Sequence, residues 1–290
     1  MPSLIDLRRR IRSVKNTEQV TKAMKMISAA KLRRAQDRVI AARPYASIFR
    51  QMLAQVAAAV ADDEESLGSH PLLARRPEAR ILAVLVTGDR GLAGAFNSNL
   101  IRGTQEFLRQ HADADVRLFT IGRKGHDFFR KRGSNVVGAR TGISQSAAYG
   151  DAAAIAREVC ERFEKGEADS VYVIFNEFKS VMTQRFTISR VLPLEVPSGA
   201  DAQAGADYIF EQPPGELMRA LLPRYVEISF YQALLESAAA EHAARMTAME
   251  AATSNAGEMI DKLTLYMNRV RQASITKELI EVVSGAAAQT

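Results

Sequence analysis

The two ends of the chain constrain its fold most, because both are long stretches with helical patterning. No glycine occurs before Gly68. Apolar residues near the start recur at the three-four spacing of a helix: Leu4, Leu7, Ile11 and Val14. We therefore predict a helix from residue 3 to about residue 60, within an N-terminal segment 1–62, and Ser3 is suited to be its N-cap.

A second long helix is predicted at the other end, within the segment 213–288. Pro223 suits the first turn of this helix, which runs to about Ala286. A helix of about 60 residues is roughly 90 Å long, which is several times the diameter of a globular domain. Such a helix cannot be buried inside a single core, so it needs a partner along its length.

The N-terminal helix has two irregular features. Pro44 is expected to kink or break it, because proline removes a backbone donor and clashes with the preceding turn. The first apolar stripe, if continued, would run through polar residues: Glu18, Thr21, Lys25 and Ser28. Val20, Met24 and Ile27 form a displaced apolar stripe, and we expect these three residues to pack against the C-terminal helix.

The charges of the two helices favour pairing. The formal net charge is +6, yet residues 8–43 alone contain twelve Lys and Arg against two acidic residues, which leaves the rest of the chain slightly acidic. Residues 223–286 carry eight acidic and six basic side chains. The second helix is also rich in alanine, which allows close approach of helix axes. We predict an antiparallel coiled coil of the two terminal helices.

The region between the helices, 78–210, has the pattern of an α/β domain. Short β-branched runs predict strands at 80–88, 116–122, 170–178 and 185–196. Helical stretches alternate with these runs near 95–110, 122–132 and 150–165. Strand-helix alternation of this kind is typical of a doubly wound, Rossmann-like sheet. Residues 197–208 have the composition of a loop.

Residue types that carry chemistry are few. Cys160 is the only cysteine, so no internal disulfide can form, and the four histidines lack the spacing of metal ligands. Cys160 is expected to be a buried small residue, and we predict no catalytic, cofactor or metal site. No apolar run approaches the roughly 18 residues of a membrane helix. The Arg-rich start leaves open a mitochondrial transit segment.

The turn "VTGDRGLAGAFN" (86–97) lies where an α/β domain can bind a phosphate. Its glycines are spaced G-x-x-G-x-x-G, which differs from the dinucleotide fingerprint, and no Lys-Ser or Lys-Thr pair follows. A tight turn is the favoured interpretation, with Asp89 and Arg90 as a local ion pair. A nucleotide-binding enzyme built on residues 78–210 remains an alternative.

The basic segment admits several partners. A strongly basic helix can follow a nucleic-acid groove or lie on anionic lipid. However, no aromatic residue occurs in residues 1–44, so the segment lacks a stacking platform for single strands. An acidic protein partner fits better, and a nucleic-acid-binding coiled coil is kept as the second alternative.

Three stretches of the chain resemble a known family. They are "IRSVKNTEQVTKAMKMISAAKLRRAQ" (11–36), "DRGLAGAFN" (89–97) and "RQASITKELIEVVSGAAA" (271–288). They are similar to the signatures of the gamma subunit of bacterial F-type ATP synthases, and they occur in the same order. The resemblance implies a non-catalytic rotor shaft that transmits torque between a proton-driven membrane ring and the catalytic alpha/beta ring.

The resemblance also implies partners and a location. The partners are three alpha and three beta subunits, the epsilon subunit and the membrane c-ring, with the delta subunit in the same complex and no nucleic acid. The chain would be peripheral, on the cytoplasmic face of the bacterial inner membrane. Because the family pattern starts within the first residues, we expect no removable presequence. The single cysteine implies no thiol regulation of the chloroplast kind.

Site residues follow from the same resemblance. Residues expected to contact the stator ring are Met24, Lys25, Arg33, Arg34, Arg245, Arg271, Gln272, Thr276 and Glu278. Lys22 and Lys31 join the basic members of this set. We expect the basic side chains to face an acidic loop that the family carries on its beta subunits, where exposed pairs are individually weak.

Overall fold

The computed structural model describes residues 3–59, 70–144, 146–194 and 211–287. Helix α1 comprises Leu4–Ala59 and helix α5 comprises Pro214–Ala287. Between them lies a five-stranded sheet. The predicted loop 197–208 lies outside the described residues. The predicted segment boundaries 1–62, 78–210 and 213–288 remain a prediction, since parts of these segments are also outside them.

The chain divides into two compact units. The terminal unit comprises Met1–Ala29 and Arg245–Thr290, and the central unit comprises Ala30–Ala244. Both α1 and α5 are continuous through this division, so each helix contributes to both units.

The start of α1 is fixed by a capping box. Ser3 Oγ accepts a hydrogen bond from the Asp6 amide at 3.1 Å, and the Ser3 amide donates to Asp6 Oδ2 at 3.3 Å. Two of the unpaired amides at the helix start are thereby satisfied. The predicted N-cap at Ser3 is confirmed.

Pro44 does not break α1, because the helix continues to Ala59, and the predicted kink stays a prediction. A proline inside a helix costs about 3 kcal/mol. Val39 before it and Phe49 and Leu53 after it are buried. Burying each such side chain contributes about 1.5–3 kcal/mol, which together exceeds the cost of the proline.

The predicted start of the C-terminal helix at Pro223 is wrong. The helix begins at Pro214, which takes the first helical position, and Pro223 lies inside it. Leu222 and Val226 on either side of Pro223 are fully buried. As at Pro44, tertiary packing offsets the local cost.

The central unit contains the sheet and three shorter helices. The strands are β1 (Arg80–Val86), β2 (Asp115–Ile121), β3 (Val136–Arg140), β4 (Ser170–Phe178) and β5 (Gln184–Leu192). The helices are α2 (Phe96–Gln110), α3 (Arg123–Lys131) and α4 (Tyr149–Glu164). A short 3-10 helix, Pro71–Leu73, precedes β1. The sequence predicted all of these strands and helices except β3 and the 3-10 helix.

The strand order is β3-β2-β1-β4-β5, with β1 to β4 parallel and β5 antiparallel to β4. Every residue of β1 after Arg80 is buried, as expected for a central parallel strand covered on both faces. Strand order reverses between β1 and β4, so the crevice of this α/β sheet lies at their carboxyl ends. The predicted doubly wound domain is confirmed.

Candidate interaction site

The helix pair of the terminal unit has a polar seam. Thr253 Oγ1 donates a hydrogen bond to Thr21 Oγ1 at 2.8 Å, and Lys25 Nζ donates to Glu250 Oε1 at 2.5 Å. As the residue number rises from 21 to 25 on α1, its partner on α5 falls from 253 to 250. The two helices are therefore antiparallel, which confirms the prediction.

The seam in α1 keeps strictly to a seven-residue repeat. Leu7, Thr21 and Ser28 are buried and Val14 is partly buried, at intervals of seven or fourteen residues. A seven-residue repeat is the spacing of a coiled-coil seam. The first apolar stripe therefore continues in phase through polar residues instead of shifting.

The predicted packing of Val20 and Ile27 against the C-terminal helix is wrong. Val20 is 58% exposed and Ile27 is 57% exposed, and Met24 between them is partly exposed. Thr21 and Lys25, which were expected to interrupt the seam, are part of it. Each has a polar partner across the helix pair. Val20 and Ile27 are thus left as apolar surface on the outer side of α1.

The last part of α5 has no α1 residue beside it. Extending the observed pairing places Leu4, the first residue of α1, opposite about Val270 of α5. Residues 271–287 continue beyond that point. Five large apolar side chains in this stretch are at least half exposed: Ile275, Leu279, Ile280, Val282 and Val283. We name residues 271–284 the exposed tip.

Four of the predicted stator contacts lie on the exposed tip. Arg271, Gln272, Thr276 and Glu278 are all exposed. The tip also has internal polar contacts: Ser274 Oγ donates to Glu278 Oε1 at 3.3 Å, and Lys277 pairs with Glu281 at 3.6 Å. The tip therefore exposes both polar side chains and large apolar ones.

The basic side chains predicted on α1 fall into two sets. Lys22 in the terminal unit and Arg33 and Arg34 in the central unit are exposed. Lys25, by contrast, already pairs with Glu250. The structure therefore leaves Lys25 with less freedom to engage a partner than the sequence suggested.

A basic cavity lies beside α1 in the central unit. Its volume is about 550 Å³, and its lining includes Lys31, Arg34 and Arg38 together with the backbone around Ala147. The three cations are spaced three and four residues apart, which places them on one face of the helix. Arg38 Nη1 donates to the Ser146 carbonyl at 2.7 Å, which holds one wall of the cavity.

Arg245 differs from the other predicted contacts, because only 7% of it is exposed. Most of its surface is covered by its own chain. A contact between Arg245 and another subunit is confined to the small part that remains accessible.

The turn after β1 does not hold the predicted Asp89–Arg90 ion pair. Asp89 instead accepts hydrogen bonds from the Gly142 amide at 3.0 Å, the Ser144 hydroxyl at 2.7 Å and the Arg123 amide at 3.1 Å. Burial opposes the charged carboxylate, but these hydrogen bonds outweigh it and lower the pKa of Asp89. Asp89 thus places a negative charge at the start of α3, where a bound phosphate would otherwise be stabilised.

The crevice at the carboxyl ends of β1 and β4 is also filled by the chain itself. A Cβ atom on Gly88, just after β1, would lie 3.0–3.1 Å from the carboxyl group of Glu241 in α5. At the end of β4, the Phe178 amide donates to Glu236 Oε2 at 3.0 Å. Helix α5 therefore occupies the place where a nucleotide binds in related folds, which counts against the nucleotide-binding alternative.

The contacts of Glu236 and Glu241 with the sheet were not predicted from the sequence. A signal was present, because both are charged residues beside the alanine-rich part of α5 ("ESAAAEHAAR", 236–245). Carboxylates in a helix face that otherwise packs closely are rarely buried unless they have partners.

Cys160 is buried, and its environment makes the thiol inert. Burial, with a smaller contribution from Glu164, raises the pKa of Cys160 to about 12. The prediction of a buried small residue is confirmed.

We expect Cys160 to resist alkylation in the native protein. Below pH 12 the raised pKa keeps the thiol protonated, so at pH 8 roughly one molecule in ten thousand is thiolate. Iodoacetamide labelling followed by mass spectrometry should be at least about a hundredfold slower in the native chain than in urea, where the pKa returns to about 8.5. Equal rates in the two states would contradict the burial of this thiol.

Among the residues that the structure describes, no group of three or more His, Cys, Asp or Glu side chains could hold a metal ion. Within the same residues, none of the helices combines the length and apolar character needed to span a membrane.

Comparison with known proteins assigns the fold and the family. A chain in the structure of the central stalk and c-ring of Tetrahymena thermophila mitochondrial ATP synthase matches with a TM-score of 0.60 and 25% identity, covering 80% of this chain and 99% of that one. A chain of the Euglena gracilis mitochondrial enzyme matches with a TM-score of 0.66 and 18% identity, covering 99% and 94%. Two long paired terminal helices and a doubly wound domain in one chain are thus a fold of ATP synthase stalks.

Sequence comparison defines the family more narrowly. The family model described as ATP synthase matches residues 3–289. The ATP synthase gamma chain of Solibacter usitatus is 64% identical over 288 residues, and that of an Anaeromyxobacter species is 52% identical over 290, each alignment covering 99% of both chains. The chain belongs to the family of ATP synthase gamma subunits, the central-stalk component, as its signatures predicted.

Proposed function

We propose that this chain is the rotor shaft of an F-type ATP synthase. It transmits torque between a proton-driven membrane c-ring and a ring of three alpha and three beta subunits, in ATP synthesis or in hydrolysis. The observation that carries the proposal is the exposed tip, a length of α5 that extends past its helical partner with large apolar side chains uncovered.

The composition of the exposed tip suits a bearing. Covering each of its large apolar side chains contributes about 1.5–3 kcal/mol, so a surrounding ring of subunits stabilises the tip. Apolar contacts are not directional, and a helix held mainly by them can turn without breaking a fixed set of hydrogen bonds. The polar contacts predicted for Arg271, Gln272, Thr276 and Glu278 then add interactions at particular angles.

The basic side chains of α1 are suited to transfer force to the ring. The cavity beside Lys31 and Arg34 has the size and charge to receive an acidic side chain, and Lys22 and Arg33 are further exposed cations of the same helix. Exposed ion pairs contribute only about 0–1 kcal/mol each and are screened by salt. Such pairs can attract an acidic loop of a beta subunit without locking the rotor at one angle. Met24, Lys25 and Arg245 are secondary contacts on this proposal.

The energy to be transmitted comes from the membrane sector. A proton crossing the membrane releases about 2.3 kcal/mol per 100 mV. The chain itself is proposed to be non-catalytic, because α5 fills the crevice where its α/β domain would hold a nucleotide. Its remaining proposed partners are the epsilon subunit and the c-ring, with delta in the same complex, at the cytoplasmic face of the bacterial plasma membrane.

Affinity purification of the tagged chain from its native membranes tests this proposal. We expect recovery of alpha, beta, delta, epsilon and c subunits by mass spectrometry, and ATP hydrolysis that drives proton pumping after reconstitution into vesicles. Recovery of the chain alone, or with nucleic acid, would contradict the proposal.

Removing the last fifteen residues tests the role of the exposed tip. Most of its apolar surface is lost, so the top of the rotor is held less firmly. We expect the complex to assemble and the proton flux driven by ATP to fall by about threefold or more, since loss of about 1.4 kcal/mol of contact weakens binding of the tip by about tenfold and a loosely held rotor transmits less torque. Quenching of a pH-sensitive dye in vesicles measures the flux. A truncated complex that pumps at the full rate would show that the tip carries no torque.

A further inference from the structure

We propose that Glu236 is a positioning residue that fastens the two long helices to the end of strand β4, and that torque passes through it between the helices and the α/β domain. This inference deepens the proposed function and rests on it. It assigns a mechanical role to a buried carboxylate that lies away from the exposed tip and outside the predicted stator contacts.

The geometry joins three elements at one side chain. Glu236 of α5 accepts a hydrogen bond on Oε2 from the Phe178 amide at 3.0 Å, at the last residue of β4. On Oε1 it accepts from Arg43 of α1, from Nη2 at 3.0 Å and from Nε at 3.3 Å. Arg43 Nη2 also donates to the Phe178 carbonyl at 3.4 Å. Helix α1, helix α5 and the sheet thus share one hydrogen-bond cluster.

Burial of Glu236 stiffens this cluster, and the Arg43 side chain, which is 49% exposed, closes its outer side. Glu236 is 2% exposed, so water does not compete for its oxygens. Taking a carboxylate out of water is costly unless donors replace the water, and here three donor atoms do so. Hydrogen bonds to a charged group are short, directional and about twice as strong as neutral ones. Rotation of α5 against the sheet therefore has to break them together.

A second contact lies five residues further along α5. The carboxyl group of Glu241, also 2% exposed, lies against Gly88 at the end of β1. A larger residue than glycine at position 88 would crowd this carboxyl group at about 3.0 Å. Glu236 and Glu241 thus reach the ends of the two strands between which the sheet order reverses. Helix α5 packs into the crevice that binds a cofactor in other α/β sheets.

A more exposed hydrogen bond between α5 and the α/β domain lacks the stiffness of the Glu236 cluster. Tyr149 donates to Glu227 at 2.6 Å, but both residues are solvent-accessible and share only that bond. Water can replace such a bond at little cost. Glu227 is therefore a matched control, since it is a glutamate on α5 that also contacts the α/β domain.

The experiment compares Glu236→Gln, Arg43→Lys and Glu227→Gln in the complete complex reconstituted into vesicles. Gln at 236 keeps the shape and an acceptor for the Phe178 amide but loses the charge that holds Arg43. Lys at 43 keeps a cation but loses the two-nitrogen contact with Glu236. Both proton pumping and ATP hydrolysis are measured on each preparation, and their ratio is the readout.

We expect the pumping-to-hydrolysis ratio to fall at least about threefold in Glu236→Gln and by a smaller factor in Arg43→Lys, while hydrolysis itself changes less than about twofold. Glu227→Gln should keep the parental ratio. A purely structural role would lower assembly and both activities in parallel, and so would leave the ratio unchanged.

The experiment distinguishes failure of the proposed function from failure of the role of Glu236. If the parental complex does not couple hydrolysis to pumping, the proposed function fails. If the parental complex couples and Glu236→Gln couples equally well, only the role of Glu236 is overturned. If neither Glu236→Gln nor Arg43→Lys assembles, Glu236 is needed for folding alone, and the inference is also overturned.

Discussion

Replacing Gly122 by alanine should destabilise the α/β domain by at least about 3 kcal/mol. Gly122 joins β2 to α3 at φ +91°, a left-handed conformation that side chains rarely adopt. A Cβ atom at this position would overlap the carbonyl oxygen of Thr87. That oxygen belongs to the backbone just after β1 and cannot move without disturbing the sheet, because the Thr87 amide donates to the Ile121 carbonyl at 2.7 Å.

Gly133→Ala is the matched control for this substitution. Gly133 has a similar φ of +70°, but no atom lies within 4 Å of the position that a Cβ would take. Its replacement should cost only the conformational strain, about 1 kcal/mol. Hydrogen exchange of peptides covering β1 and β2, measured by mass spectrometry on the full chain, compares the two. Equal losses of protection would mean that the close approach at Thr87 is not important for stability.

Reversing the charge of three exposed basic side chains of α1 should have the largest effect on activity. In a complex whose Lys22, Arg33 and Arg34 are all changed to Glu, each weak attraction to an acidic loop becomes a repulsion. With about 0.2–1 kcal/mol per exposed pair, three reversals amount to about 1–6 kcal/mol. We therefore expect ATP-driven pumping to fall about tenfold or more, and part of this loss to be relieved by added salt.

An equal change of charge elsewhere is the control. Arg102, Arg130 and Lys131 are exposed residues of the α/β domain, and their joint replacement by Glu changes the net charge by the same amount. This control variant should pump within about twofold of the parental rate, because isolated surface charges matter little. Equal losses of pumping in both triple variants would assign the effect to net charge. Unchanged pumping in the variant of Lys22, Arg33 and Arg34 would contradict the proposed role of these side chains.

The sequence predicted the architecture well because its strongest signals are long. The pattern of β-branched runs around residues 80–88 and 170–178 marks strands that are buried on both faces, and the structure contains both as β1 and β4. The missed strand β3 is short, lies at the edge of the sheet and contains Gly138, which packs against the ring of Phe119. Edge strands with few apolar residues leave a weak pattern.

The errors within the long helices have one physical origin. Pro44 and Pro223 are unfavourable locally, yet burial of neighbouring residues outweighs them. Thr21 and Lys25 look like surface residues until their partners Thr253 and Glu250 are known. For Thr21 and Lys25 the partners lie 232 and 225 positions away along the chain, and no local pattern contains them.

The candidate site was predictable in part. The basic residues of α1 follow from composition, and four polar residues of the exposed tip follow from family resemblance. The buried cluster at Glu236 does not, because it depends on how Arg43 and Phe178 meet a helix from the other end of the chain.

Direct observation of rotation tests whether this chain is the rotor. A bead can be attached through Arg130→Cys, an exposed position on the α/β domain, while buried Cys160 stays unlabelled. With the alpha/beta ring fixed to a surface and ATP supplied, we expect the bead to turn repeatedly in one direction, with three pauses per turn. A bead that stays at a fixed angle while ATP is hydrolysed would contradict the claim that this chain is the rotor.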